Sequence, residues 1–190
     1  VGGEVVVAGA GVIGLCPIAV RSAFPRARLV AVDPITSRRE RARAFGADAA
    51  VAPGSLGDVL DTDAGPEGAD LVYELSGRPS VLDSAVAAAG YDGRVVVGSW
   101  YGDKPATLDL GSTFHRDRIS IESSQVSTLA PETRGRWSKD RRADTAIERL
   151  HDIDGASLIT HRIPFEDAPE AYRLLDDDTD GALQVLLTYS

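Results

Sequence analysis

Methionine and asparagine are absent from this 190-residue chain, and lysine occurs only at Lys104 and Lys139, so 18 of its 20 basic residues are Arg. Without Asn there is no N-glycosylation sequon. Without Met there is no initiator, and Val1-Gly2-Gly3-Glu4 runs straight into an apolar stretch with no signal or transit character. We therefore expect that Val1 is not a native start, that a segment preceded it, and that the protein is cytoplasmic. Cysteine is almost missing. Cys16 alone excludes an internal disulfide framework and a CxxC-type zinc knuckle. No apolar run approaches the roughly 20 residues that cross a bilayer, so no membrane partner is expected. Positive charge is in deficit, with a formal net charge of −9. A field of that sign repels phosphate backbones, which argues against nucleic acid as a partner.

What is present is ordinary globular material, 43% hydrophobic and 26% charged. At this length folding buries about 70% of the surface that the unfolded chain exposes, enough for a core without staples. The pattern alternates strands and helices. Glu4–Ala8 (EVVVA) reads as a buried strand, 12–24 as a helix closed by Pro25, and 28–33 (RLVAVD) as a second strand. Thr36 or Ser37 is placed to cap a helix running to Phe45, with Gly46 past its end. Residues 47–52 form a weak strand, 56–60 a short helix, and 69–75 (ADLVYEL) a fourth strand. A helix over 79–89 opens on Pro79 and precedes a fifth strand, 93–98 (GRVVVG). Residues 118–122 (RISIE) read as a sixth strand. Residues 129–144 are polar and flow into a helix ending near Leu150. Strand, helix and strand follow at 158–163, 166–175 and 182–188. Parallel strands need crossovers, so this alternation predicts a doubly wound α/β parallel sheet of Rossmann type, three layers deep. We divide it into a dinucleotide-binding domain, 1–150, and a closing segment, 151–190.

One motif carries chemistry. Gly9-Ala10-Gly11-Val12-Ile13-Gly14 is GxGxxG, directly after a strand and opening a helix. Gly9 allows the tight turn, Gly11 lets backbone approach a pyrophosphate, and Gly14 lets helix and strand pack closely. The helix N-terminus offers unpaired N–H groups and a positive dipole end. Asp33 closes the next strand, 19 residues past Gly14, near the spacing of about 20 that the fingerprint requires. A carboxylate there accepts ribose hydroxyls and repels a 2′-phosphate, favouring NAD over NADP. Arg38 and Arg39 blunt that preference. The bland alternative is a glycine-rich turn whose Asp caps a helix. Pro17, inside the first helix, predicts a kink or a 3₁₀ first turn. Cys16 reads as a small buried hydrophobe.

The runs GAGVIGL, AVDPITSRRERARAFGADAAV, DLVYELSGRPSVLDSAV and GRVVVGSWYG resemble the cofactor domain of the medium-chain dehydrogenase/reductase superfamily, the zinc-type alcohol dehydrogenases. The tail ITHRIPFEDAPEAYRLLDDDTDGALQVLLTY resembles that family's closing segment. FHRDRISIESSQVST is similar to zinc-binding dehydrogenases near the bacteriochlorophyllide dehydrogenases. The resemblance implies further cofactor contacts: Arg38 along the adenosine, Ser76 and Gly77 at the ribose, and Gly98, Ser99 and Trp100 on the nicotinamide side. Pro34, next to Asp33, is counted among the cofactor-binding residues too. The alternative for Ser76 and Ser99 is a hydroxyl that satisfies a turn. Trp100 and Tyr101 either wall the nicotinamide or substrate pocket or cover the sheet end. The resemblance also implies that the catalytic zinc ligands sit in a separate N-terminal GroES-like domain, and that the strand near Ile119–Ile121 pairs across a two-fold axis to make a homodimer. Arg116, Asp117 and Arg118 offer the contrary reading, an edge kept monomeric.

No catalytic residue and no metal ligand are assigned in this chain. His115, His151 and His161 read as structural, Arg134, Arg136, Arg141 and Arg142 as a solvated loop and helix start, and Asp176-Asp177-Asp178 as an exposed acidic turn. The expected function is NAD(H) binding within an oxidoreductase that moves hydride between a small alcohol or carbonyl substrate and nicotinamide. The chain alone is expected to be inactive. Two other readings stand beside it: a non-catalytic NAD-sensing or interaction module, and an S-adenosylmethionine-dependent methyltransferase. The GxGxxG spacing and the closing segment argue against the last.

Overall fold

The structure, a computed structural model, describes residues 2–60, 68–177 and 181–189. Six strands form one parallel sheet: β1 (Glu4–Ala8), β2 (Arg28–Val32), β3 (Ala49–Val51), β4 (Ala69–Glu74), β5 (Ala89–Val97) and β6 (Ser120–Ser123). Their order is β3-β2-β1-β4-β5-β6, the doubly wound arrangement expected. The helices α1 (Val12–Ser22), α2 (Thr36–Ala44) and α3 (Pro79–Ala88) are the crossovers.

The pleat sorts the apolar side chains. Val5, Val7, Leu29 and Ala31 face α1 and α2 in one core, with Leu15, Ile18 and Ala42. Val6, Val30, Val72 and Val95 face α3 in the other, with Leu82, Ala85 and Val86. Period-two alternation therefore buries both faces, which is why the strands read as continuous apolar runs.

Several boundaries differ from the sequence reading, each for a local reason. The first turn of α1 is α-helical, not 3₁₀: the Leu15 N–H donates to the Gly11 carbonyl at 2.9 Å. The helix runs through Pro17, and Ile13, whose carbonyl loses its donor there, is exposed. Neither Thr36 nor Ser37 caps α2. Ile35 holds the N-cap position with no side-chain bond. Residues 56–60 form a single turn, after a short 3₁₀ segment at Pro53–Ser55. β5 starts early, at Ala89, with a register shift against β4. β6 starts late, because Arg118 sits at φ 55° and cannot extend, while Ile119 is buried in the core. Cys16 is half-buried, and burial pushes its thiol pKa up.

Beyond the sheet, α4 (Lys139–Leu150) is capped by Ser138, whose hydroxyl accepts from Arg141 N–H at 3.1 Å. A second βαβ unit follows: β7 (Ile159–Pro164), α5 (Ala168–Asp177) and β8 (Gln184–Thr188), the two strands parallel. Leu158 anchors this unit in the first core, and an Arg41 guanidinium donates to the Ser157 carbonyl at 2.9 Å. Asp176 and Asp177 close α5 rather than forming a turn, and Asp178 lies outside the described residues.

The glycines of the β1–α1 corner differ sharply in surroundings. A Cβ on Gly14 would lie 1.8 Å from the Gly9 carbonyl oxygen, whereas one on Gly11 would meet nothing within 4 Å. Gly14→Ala should thus cost about 3 kcal/mol of stability by overpacking. Gly11→Ala, at an ordinary φ of −71°, should cost roughly 0.5 kcal/mol. Urea denaturation of both variants checks this, and equal losses would contradict it.

Candidate functional site

In a parallel sheet the carboxyl ends of all strands lie along one edge, and the strand order reverses between β1 and β4. A crevice opens at such a reversal. The chain leaves β1 into Gly9–Gly14, β2 into Asp33, β4 into Ser76–Gly77, and β5 into Gly98–Trp100. The fold therefore brings the glycine corner, Asp33, Ser76–Gly77 and Gly98–Trp100 to one edge, with Pro34 next to Asp33 and Arg38 within α2.

The glycine corner is built on backbone approach. Gly9 takes φ 101°, and a Cβ there would lie 2.7 Å from the Leu75 carbonyl group. This turn presses β1 against the end of β4 and starts α1. The first four amides of a helix, here Gly11 to Gly14, have no intrahelical acceptor. No side chain caps them. With open space at Gly11, the corner is a cradle of N–H donors at a positive dipole end, which fits a diphosphate.

Asp33 closes that cradle. The residue is 3% exposed. One carboxylate oxygen accepts the Ala10 N–H at 2.8 Å, and the other accepts the Ile35 N–H at 2.9 Å. The second bond explains why α2 needs no Ser or Thr cap. Each carboxylate oxygen keeps a further acceptor site. Arg39, not Arg38, wraps the strand end: its guanidinium donates to the Asp33 and Pro34 carbonyls at 2.8 and 2.7 Å. Pro34 is exposed and Arg38 half-buried at the start of α2.

The other half of the edge is organised by a residue that the sequence reading passed over. Glu74, the last residue of β4, is 0% exposed. Its carboxylate accepts the Ser76 N–H at 2.9 Å, the Ser76 hydroxyl and the Tyr101 phenol. Its carbonyl accepts the Gly98 and Ser99 N–H groups at 3.0 and 3.2 Å. The Ser99 hydroxyl accepts the Gly77 N–H at 2.8 Å. Both serine hydroxyls are thus engaged in turns. Tyr101 folds inward, and burial, then the hydrogen bond and charge of Glu74, push its phenol pKa above the ordinary value, so it stays a donor. Trp100 is 90% exposed.

The remaining candidates lie elsewhere. His115 and His151 are exposed at separate places, and His161 leans on the Thr160 hydroxyl at 3.0 Å. Among the described residues no three His, Cys, Asp or Glu side chains gather as a metal site. Three of the four arginines spend their side chains on their own loop: Arg134 on the Leu129 carbonyl, Arg141 on that of Arg136 and the Trp137 ring, and Arg142 on that of Val126. No described helix is long and apolar enough to cross a membrane.

Comparison with known proteins agrees with this geometry. The family model described as zinc-binding dehydrogenase matches residues 12–141. D-guloside 3-dehydrogenase of Escherichia coli K12 is 28% identical over 194 residues, covering 100% of this chain and 55% of the relative. L-threonine 3-dehydrogenase of Bacillus subtilis 168 is 31% identical over 179 residues, covering 92% of this chain and 48% of the relative. An alcohol dehydrogenase from E. coli CFT073, solved in complex with NADH, superposes with a TM-score of 0.77 at 25% identity, over 98% of this chain and 52% of that one. The chain spans about half the length of the curated relatives it matches. A doubly wound sheet, a glycine corner and a matched family model together give one conclusion: the chain belongs to the zinc-binding dehydrogenase family and corresponds to the cofactor-binding domain of its alcohol dehydrogenase-like members.

Proposed function

We propose that the chain binds a nicotinamide dinucleotide across the carboxyl edge of its sheet, NAD(H) in preference to NADP(H). In the complete enzyme it would present the nicotinamide to a small alcohol or carbonyl substrate. The observation that carries this reading is the buried Asp33 carboxylate bonded to the Ala10 amide beside the open Gly11 cradle. The amides of Gly11, Val12, Ile13 and Gly14 would hold the diphosphate. The free acceptor sites of Asp33 would take ribose hydroxyls, and the same charge would repel a 2′-phosphate. Pro34 and Arg38 would flank the adenosine. Ser76 and Gly77 would border the second ribose, and Gly98, Ser99 and Trp100 the nicotinamide. The cofactor itself supplies the hydride chemistry. The chain's part is to bind and orient.

Zinc does not fit the residues present, since the described side chains offer no ligand cluster. A polarising metal and a proton relay would belong to another domain. The closing segment fits such a neighbour. Phe165 and Tyr189 stack at 4.8 Å between centroids and stay exposed, as do Tyr172 and Leu175 of α5. We infer that 151–190 packs against the catalytic domain and that the isolated chain binds cofactor without turnover. Membership of a dehydrogenase family supports this over a sensing module. The same reading places the protein in the cytoplasm, among the soluble nicotinamide dinucleotides.

A homodimer through β6 is part of the proposal. β6 is the last strand of the sheet, and Ser120, Glu122 and Ser123 are exposed along it. An open edge with unpaired backbone groups invites a partner strand. Sedimentation equilibrium at micromolar concentration should give twice the 20.0 kDa chain mass. A lone monomer would refute pairing.

Asp33→Ala should weaken NADH binding by about 1–3 kcal/mol, the worth of charge-assisted hydrogen bonds. It should also narrow the preference over NADPH, and Gly11→Val should block binding by filling the cradle. Calorimetric titration with both cofactors measures this. Unchanged selectivity in Asp33→Ala would show that the acid does not meet the ribose.

A further inference from the structure

A carboxylate removed from water is costly unless donors surround it. Glu74 is fully buried, and none of the ion pairs among the described residues involves it. Its donors come from two loops: Ser76, after β4, gives an N–H and a hydroxyl, and Tyr101, after β5, gives its phenol. The Glu74 carbonyl also receives Gly98 and Ser99, and Ser99 receives Gly77. One residue therefore clamps the two loops to each other and to the strand end. Neither loop bonds to the glycine corner through it. Arg78, which follows the first loop, is drawn in as well, its N–H donating to the Ser76 hydroxyl at 3.0 Å.

We propose that Glu74 is a positioning residue for the nicotinamide half of the cofactor, acting through Ser76 and Tyr101 to fix the 76–78 and 98–101 loops. This rests on the dinucleotide reading above and divides the edge into two parts. Asp33 and the glycine corner serve the adenosine and diphosphate; the Glu74 clamp serves the rest. The clamp needs shape and acceptors rather than charge as such. In Glu74→Gln the remaining oxygen still accepts both Ser76 donors, and the amide N–H donates to the Tyr101 oxygen, whose proton rotates away. Glu74→Ala leaves the donors without a buried acceptor. Tyr101→Phe removes one strut only and keeps the ring that packs against the core.

The test compares two ligands on the same chain by calorimetry. ADP carries only the adenosine and diphosphate; NADH carries both halves. Glu74→Ala should weaken NADH about tenfold or more while changing ADP affinity by less than about twofold. Tyr101→Phe should weaken NADH about threefold with ADP unchanged, and this variant stands even where Glu74→Ala fails to fold. Glu74→Gln should bind NADH within about twofold of the parent. Parallel loss of both ligands, no loss of NADH in Tyr101→Phe, a Glu74→Gln defect matching that of Glu74→Ala, or a parent chain that binds NADH no tighter than ADP would each overturn the assignment. A parent that binds neither ligand would instead refute the dinucleotide reading itself.

Discussion

The hydrogen bond from the Ala10 amide to the Asp33 carboxylate, 2.8 Å long and buried, is the contact on which the cofactor edge depends. It fastens the end of β2 to the turn that leaves β1. Without it, the corner would hold a buried acid short of a donor, and α2 would lose its organising group, since the same carboxylate also takes the Ile35 amide. Charge-assisted bonds to backbone donors are strong enough to offset much of the cost of taking such a group out of water. The corner is therefore preorganised: its glycines, its free amides and its acid hold their places before any ligand arrives.

A second buried acid mirrors the first across β1. Asp33 ends β2 on one side, and Glu74 ends β4 on the other. Both lie where parallel strands deliver their carboxyl ends, and both spend their oxygens on loop donors rather than on basic side chains. The sheet thus fixes two loop groups through two different acids, one group made of backbone amides and the other of a serine–tyrosine clamp, with Gly9 packed against Leu75 and Ser76 where they meet.

The part of the site that was legible in the sequence is the part with short-range spacing. Gly9, Gly11 and Gly14 and the acid after the next strand are local in the chain, so their pattern survives as text. The strand alternation was legible for the same reason, because both faces of a parallel sheet are buried and the runs are unbroken. What stayed hidden depends on distant neighbours. Glu74 looks like one acid in ADLVYEL, and its environment is set by Ala8 and Val97, its partners in β1 and β5. One signal was available: an acid at the carboxyl end of a run expected to be buried on both faces must find donors. Thr36 was the nearer cap candidate by position, but it is Asp33, the residue that the alternative reading set at the start of this helix, whose carboxylate accepts the Ile35 N–H. The start of β6 was misplaced because nothing in RISIE announces the left-handed backbone of Arg118.

The chain spans about half the length of the curated relatives it matches. Trp100 and the aromatics Phe165, Tyr172 and Tyr189 of the closing segment are exposed. The central claim concerns only the cofactor edge, and an amide-resolved NMR titration with NADH tests it most directly. The account predicts that the largest shifts fall on Ala10, Gly11, Val12, Ile13 and Gly14, followed by the amides flanking Asp33. Shifts confined to other faces of the sheet, with the glycine corner unmoved, would contradict it.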